Sequence, residues 1–247
     1  MRAIVVSVLL WTLLAPAGEL FQGSPFESVV AASVKAIRAG RGATRGNYVQ
    51  IVDSGDDALL LRTHLVRNAR RSICIQTFIW TNDEVGRFFM YELIQAAKRG
   101  VKVQIIADHF VSHKDPGIVA FLATVHPNLQ LRHYRPAAGR IRPSRLQVAG
   151  SLVFGFRDHN QRMHNKVVIV DDIAAITGGR NIENSYYNRS TEMNFRDRDA
   201  FVIGPVVPAM RASFDTFWDY KHSVPSARLI DVVKVIEEGK VPSYSTM

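Results

Sequence analysis

The chain has 247 residues, 47% of them apolar and 21% charged, which is long enough for a sizeable core and excludes a disordered chain. A formal net charge of +9 points to an anionic partner, a phospholipid surface or a nucleic acid. The single cysteine, Cys74, excludes an internal disulfide. No ligand set has zinc or calcium-loop spacing, so neither a metal nor another cofactor is expected.

Residues 1–17 open with Arg2 and an uncharged apolar run, followed by small residues at Ala15 and Ala17. This is the layout of a secretory signal peptide, or of an uncleaved interfacial anchor, and it is short for a membrane span. Either reading predicts an exported protein, periplasmic or associated with the outer side of the inner membrane. Residues 18–47 read as a lead-in with a short helix and a basic linker, where Gly40, Gly42 and Gly46 alternate with Arg38, Arg41 and Arg45.

The main domain is expected over residues 48–222. Its periodicity predicts helices over 56–71, 83–99 and 116–124, alternating with strands over 72–80, 101–107 and 129–134. Such alternation argues for a layered α/β/α fold with a mixed, largely parallel sheet. Asp108 ends one of these strands and reads better as a cap for the next turn than as a ligand contact. Two further strands, 167–170 and 173–177, flank Asp171 and Asp172 as a turn. A strand at 200–203 and a helix at 205–220, opened by Pro205, complete the domain. Phe214, Phe217 and Trp218 give that helix an aromatic stripe of the kind that packs in cores. Residues 223–247 read as a tail with a helix over 229–238.

Residues 116–157 contain no acidic residue but include Arg132, Arg135, Arg140, Arg142, Arg145 and Arg157. This is either a solvated loop or a rim for a lipid phosphate on an anionic membrane. The same arginines would suit a nucleic-acid backbone, although sparse aromatics argue against a stacking platform.

The chemistry concentrates between Met163 and Asn181. His164 and Lys166 lie two apart at the start of a strand, so their side chains leave on one face. If the two strands form a hairpin, Asn181 at the far end of the second returns to the same sheet edge. A nucleophile or base, a fixed cation and a neutral donor then meet, a set suited to a phosphate diester. Gly178 and Gly179 would supply backbone able to take positive φ and approach a ligand.

His164-x-Lys166, Asp171 after four intervening residues, and Gly178-Gly179-x-Asn181 together resemble the HKD motif of the phospholipase D superfamily. Gln161 to Lys166, Gly178 to Ile182, and Phe195-Arg196-Asp197-x-Asp199 are similar to the bacterial cardiolipin synthase branch, in its N-terminal half. The resemblance implies attack by His164 on a phospholipid phosphodiester through a phosphohistidine, with Lys166 and Asn181 on the non-bridging oxygens. It implies that Asp197 orients the histidine ring and gives Asp171 a lesser role, shaping the turn. Gly178, Gly179, Arg162 and Arg157 would border the substrate. Family members carry a second motif whose histidine protonates the leaving alcohol. Here His109, His113, His126, His133 and His159 are present, and none sits in a second copy. The missing half would come from a symmetric homodimer or from a separate HKD-bearing half, and the partner is expected to be an anionic phospholipid membrane. The alternatives are a single-motif endonuclease and a silent half that binds membranes or a partner subunit.

Overall fold

The computed structural model describes residues 21–40, 46–109, 112, 114–154 and 161–243. The apolar N-terminal run, the centre of the basic linker and Arg157 fall outside them. The parallel part of the sheet is built from β2 (Ser72–Thr77), β3 (Lys102–Asp108) and β4 (Leu129–Tyr134). The connections are α3 (Glu84–Lys98) and α4 (Pro116–Thr124). Each helix starts where an aspartate caps it: Asp83 accepts from the Gly86 N–H, and Asp115 accepts from Gly117 and Ile118. Gly100, at φ 95°, turns the chain out of α3 into β3.

The remaining strands are antiparallel. β5 (Val167–Val170) and β6 (Ala174–Gly178) form the expected hairpin, and β5 lies against β2. β7 (Asp199–Ile203) pairs with β6, and β1 (Tyr48–Val52) closes that edge. A short β8 (Ser223–Pro225) pairs with β4. The order is β1-β7-β6-β5-β2-β3-β4-β8. The sheet is mixed, but the expectation that it is largely parallel is corrected: only the β2–β3 and β3–β4 pairings are parallel. The short turn between β5 and β6 makes that pair antiparallel, whereas the helical crossovers through α3 and α4 keep β2, β3 and β4 parallel.

Helices cover both faces. On one face α2 (Gly55–Asn68), α3 and α4 pack on Ile73, Ile75, Val103 and Ile105. On the other, α6 (Val207–Trp218) sets Phe214 and Trp218 against Cys74, Ile106 and Ile169. The aromatic stripe is therefore core, and Pro208, not Pro205, lies in the first turn. A helix that periodicity did not reveal, α5 (Arg145–Phe154), follows the 136–143 loop.

The boundaries at residues 48 and 222 cut through one packed unit. Helix α1 (Glu27–Arg38) buries Val30 and Val34 beside Phe201 and Ile203, and α7 (Ile230–Glu237) buries Val232 in the same core. Helix α2 stops earlier than periodicity suggests because the N–H groups of Arg70, Arg71 and Ser72 turn onto the Asp171 carboxylate at 2.8–2.9 Å.

A buried ion cluster joins these parts. Asp199 Oδ2 accepts from Arg62 of α2 at 2.9 Å and from Arg180 at 3.1 Å, and all three residues are at most 5% exposed. Arg180 also donates to the carbonyls of Val52, Asp53 and Tyr186. Asp199→Ala would leave two guanidinium groups buried without their shared carboxylate, so it should lower the unfolding free energy by about 3–5 kcal/mol, measured by urea denaturation.

Candidate active site

Lys166 is the last residue before β5, and its backbone carbonyl accepts from Thr177 Oγ1 at 3.1 Å and from the Gly178 N–H. This hairpin closure fixes its position. Its side chain is 8% exposed, and Nζ donates to the His164 carbonyl at 2.9 Å while lying 3.4–3.5 Å from both ring nitrogens. His164 itself is exposed. Its ring leans on Phe78, centroid to centroid 4.7 Å, and the same aromatic face receives the Lys166 ammonium at 5.4 Å.

Asn181 is buried beneath this pair, and its Oδ1 accepts from the Ile79 N–H at 3.1 Å. Its amide also faces Tyr186, whose ionised form it favours against the larger opposing effect of burial. The loop after β2 and the loop after β6 are thus stitched together, with a further bond from the Thr81 N–H to the Ile182 carbonyl at 3.1 Å. The hairpin brings His164, Lys166 and Asn181 to one sheet edge.

Asp197 acts at a different atom from the one the resemblance implies. Among the described residues no hydrogen bond joins it to the His164 ring; its carboxylate instead favours the charged form of Lys166. Burial is the larger effect and lowers the Lys166 pKa below the ordinary lysine value.

The two glycines also have a different reason from positive φ, since neither takes it. A Cβ on Gly178 would stand 2.2 Å from Asp199 Oδ1 and 2.5 Å from the Arg198 carbonyl, and one on Gly179 would stand 2.2 Å from Asp197 Oδ1. They are spaces for two carboxylates.

Asp171 lies at the opposite end of β5 from His164, at φ 53°, fully buried and bonded to three backbone N–H groups. Burial pushes its carboxyl above the ordinary range against those bonds. It belongs to the turn and does not reach the site. Arg162 forks its guanidinium onto both oxygens of Asp108, and Asp108 Oδ2 also accepts the Met163 N–H at 3.1 Å. Asp108 thus clamps the approach to His164. Within the arginine-rich region, Arg132 covers Trp218 at 4.4 Å and Arg135 is buried on Tyr134, Tyr220 and Gln161, whereas Arg142 and Arg145 are exposed. Phe78 and Tyr186 had no sequence signal, because each meets the motif across more than fifty residues or through a loop. Among the described residues, no group of three His, Cys, Asp or Glu side chains is placed to hold a metal ion.

The family model described as "Cardiolipin synthase, PLD-like domain" matches residues 63–218. The chain belongs to the phospholipase D superfamily. Within it, cardiolipin synthase C of Escherichia coli K12 is 34% identical over 178 residues, 71% of this chain and 36% of that protein. This phospholipase D-like chain thus spans little more than a third of that relative's length. Among solved structures, NucT from Helicobacter pylori superposes with a TM-score of 0.54 at 18% identity, covering 72% of this chain and 99% of NucT. Phosphatidylserine synthase from Haemophilus influenzae gives 0.56 at 16% identity, covering 78% of this chain and 43% of that one. These two likenesses bear on the fold.

Gly178→Ala should destabilise the protein by about 1–3 kcal/mol in thermal or urea unfolding, because its methyl group meets backbone and a fixed carboxylate. Asp197→Asn should leave stability nearly unchanged but remove the charge that holds Lys166 protonated. The alkaline limb of kcat/KM falls as Lys166 loses its proton, so in the variant that limb should move to lower pH.

Proposed function

We propose that the chain is one half of a phosphodiester-transferring site that acts on phospholipids, with His164 as nucleophile. The observation that carries this reading is the grouping of an exposed imidazole, a buried ammonium 3.4 Å from its ring, and a buried amide on one sheet edge. In the proposed step a ring nitrogen of neutral His164 forms a bond to phosphorus while the bond to the leaving alcohol oxygen breaks. Lys166 and Asn181 take the charge that develops on the non-bridging oxygens. A proton must reach the departing oxygen, and an acceptor alcohol or water must then be deprotonated to release the phosphohistidine. In this reading the acid comes from a second motif. A second copy of this chain across a twofold axis, or a separate HKD-bearing half, would meet the exposed His164 from outside.

The net charge of +9 and the exposed Arg142 and Arg145 support an anionic membrane as the surface on which this occurs. The 34% identity with a protein named cardiolipin synthase C favours phosphatidyl transfer between phosphatidylglycerol-type lipids, with hydrolysis as the same chemistry using water. Export or attachment through residues 1–17 is part of this proposal. No helix among the described residues is long and apolar enough to cross a membrane.

The test is lipid mass spectrometry after incubation with phosphatidylglycerol vesicles. Wild type should yield cardiolipin or phosphatidic acid, and His164→Ala should lower the rate by about 10⁴-fold or more. Cleavage of DNA in chelator with no lipid turnover would overturn the lipid reading in favour of an endonuclease. Products that persist undiminished in His164→Ala would overturn the mechanism.

A further inference from the structure

Between α3 and α4, at the end of the sheet where His164 stands, lies a cavity of about 510 Å³, a volume ordinary for a small-molecule site. Its walls are Trp80, Met90 and Ile94 on one side and Val119 and Leu122 on the other. Its floor is Ala107 and His133, at the carboxyl ends of β3 and β4. Phe88 and Tyr91, 37% and 41% exposed, line it where it reaches the surface. Among the described lining residues there is no carboxylate, and the one fixed charge is the exposed Arg87.

Several of the polar groups on the lining are engaged. The Trp80 indole donates to the Gly86 carbonyl at 3.3 Å, Thr81 Oγ1 to Asp83 at 2.6 Å, and His133 shares a bond with Ser226 at 2.9 Å. Burial lowers the His133 pKa to about 3, so the floor carries no charge. Along the apolar walls and the uncharged floor a polar metabolite would leave its own donors unpaired. A hydrocarbon chain needs none.

The cavity and the catalytic group share a wall. Phe78 carries the ring against which His164 leans, the Ile79 N–H holds Asn181, and Trp80 lines the cavity. Ser112, also on the lining, donates to the Phe78 carbonyl at 3.5 Å. Only Ile79 separates Phe78 from Trp80, so the two backbones lie at most roughly 7 Å apart, a gap that a glycerol backbone bridges.

We propose that this cavity receives one fatty-acyl chain of the phospholipid whose phosphate lies at His164, with Arg87 at the mouth facing the anionic surface. The proposal rests on the lipid reading of the site and adds to it a means of drawing a single lipid partly out of its bilayer. Affinity should then depend on acyl length: each pair of methylenes lost from the buried part weakens binding about tenfold.

The experiment uses the full chain and phosphatidylglycerol vesicles in which one acyl chain ends in a diazirine, with photoadducts mapped by peptide mass spectrometry. Adducts should concentrate on Met90, Ile94 and Leu122, and should persist in His164→Ala, which disables chemistry but leaves the cavity. Narrowing the cavity with Ile118→Phe and Leu122→Phe should lower this labelling about tenfold, the cost of excluding some two methylenes; where that double variant does not fold, the wild-type map decides. Adducts that are absent from α3 and α4 overturn the proposal, whether the cavity is then filled by the chain's own apolar residues 3–15 or by a partner's side chains. Lipid transfer without such adducts overturns the cavity alone, and adducts without transfer uphold the cavity while counting against the proposed reaction.

Discussion

The structure depends on one buried carboxylate. Asp199 accepts from Arg62 and Arg180 in a region that excludes water, and the three charges compensate only while all are present. Arg62 belongs to α2, Asp199 to β7, and Arg180 to the segment after β6, so the cluster ties a helix, a strand and the motif's own tail. Arg180 extends the tie to the end of β1 through the carbonyls of Val52 and Asp53. Gly178 is the space that lets Asp199 approach. A motif position that looks like a flexible substrate loop is thus a packing requirement, and Asn181 is held in place one residue beyond the arginine.

The same economy appears around His164. Each group that sets its environment is itself held from elsewhere: Asp108 fixes Arg162 and the Met163 backbone, Phe78 backs both ring and ammonium, and Ile79 orients Asn181. The imidazole alone is left open to solvent. A rigid frame around one exposed imidazole is consistent with the half-site proposed above. The balance at Lys166 follows the same logic. Burial disfavours the charged ammonium and Asp197 opposes that effect in part.

The apolar cavity beside this frame gives the phospholipase D-like chain two unlike surfaces at one sheet end: a charged corner suited to a phosphate and an uncharged recess suited to hydrocarbon. A shared wall, residues 78–81, couples them. Since Ile79 and Thr81 also bond to the loop after β6, occupancy of one surface is mechanically close to the other.

The sequence by itself determined the helices and strands between residues 56 and 134 and the β7–α6 pair, because their periodicity and caps are local, as Asp83, Asp115 and Gly100 illustrate. It also determined the hairpin that carries His164 and Lys166, since two β-branched runs flank a pair of aspartates. It could not determine that the sheet is more antiparallel than parallel, that α1 and α7 join its core, or that α5 exists, because strand partners and burial depend on contacts distant in sequence. Nor could residue types tell that Arg162 faces Asp108 or that Asp171 binds the backbone of Arg70 to Ser72. Those assignments depend on which side chains meet across fifty to a hundred residues. Local pattern decides what a segment becomes, and tertiary packing alone decides which charge stands beside which.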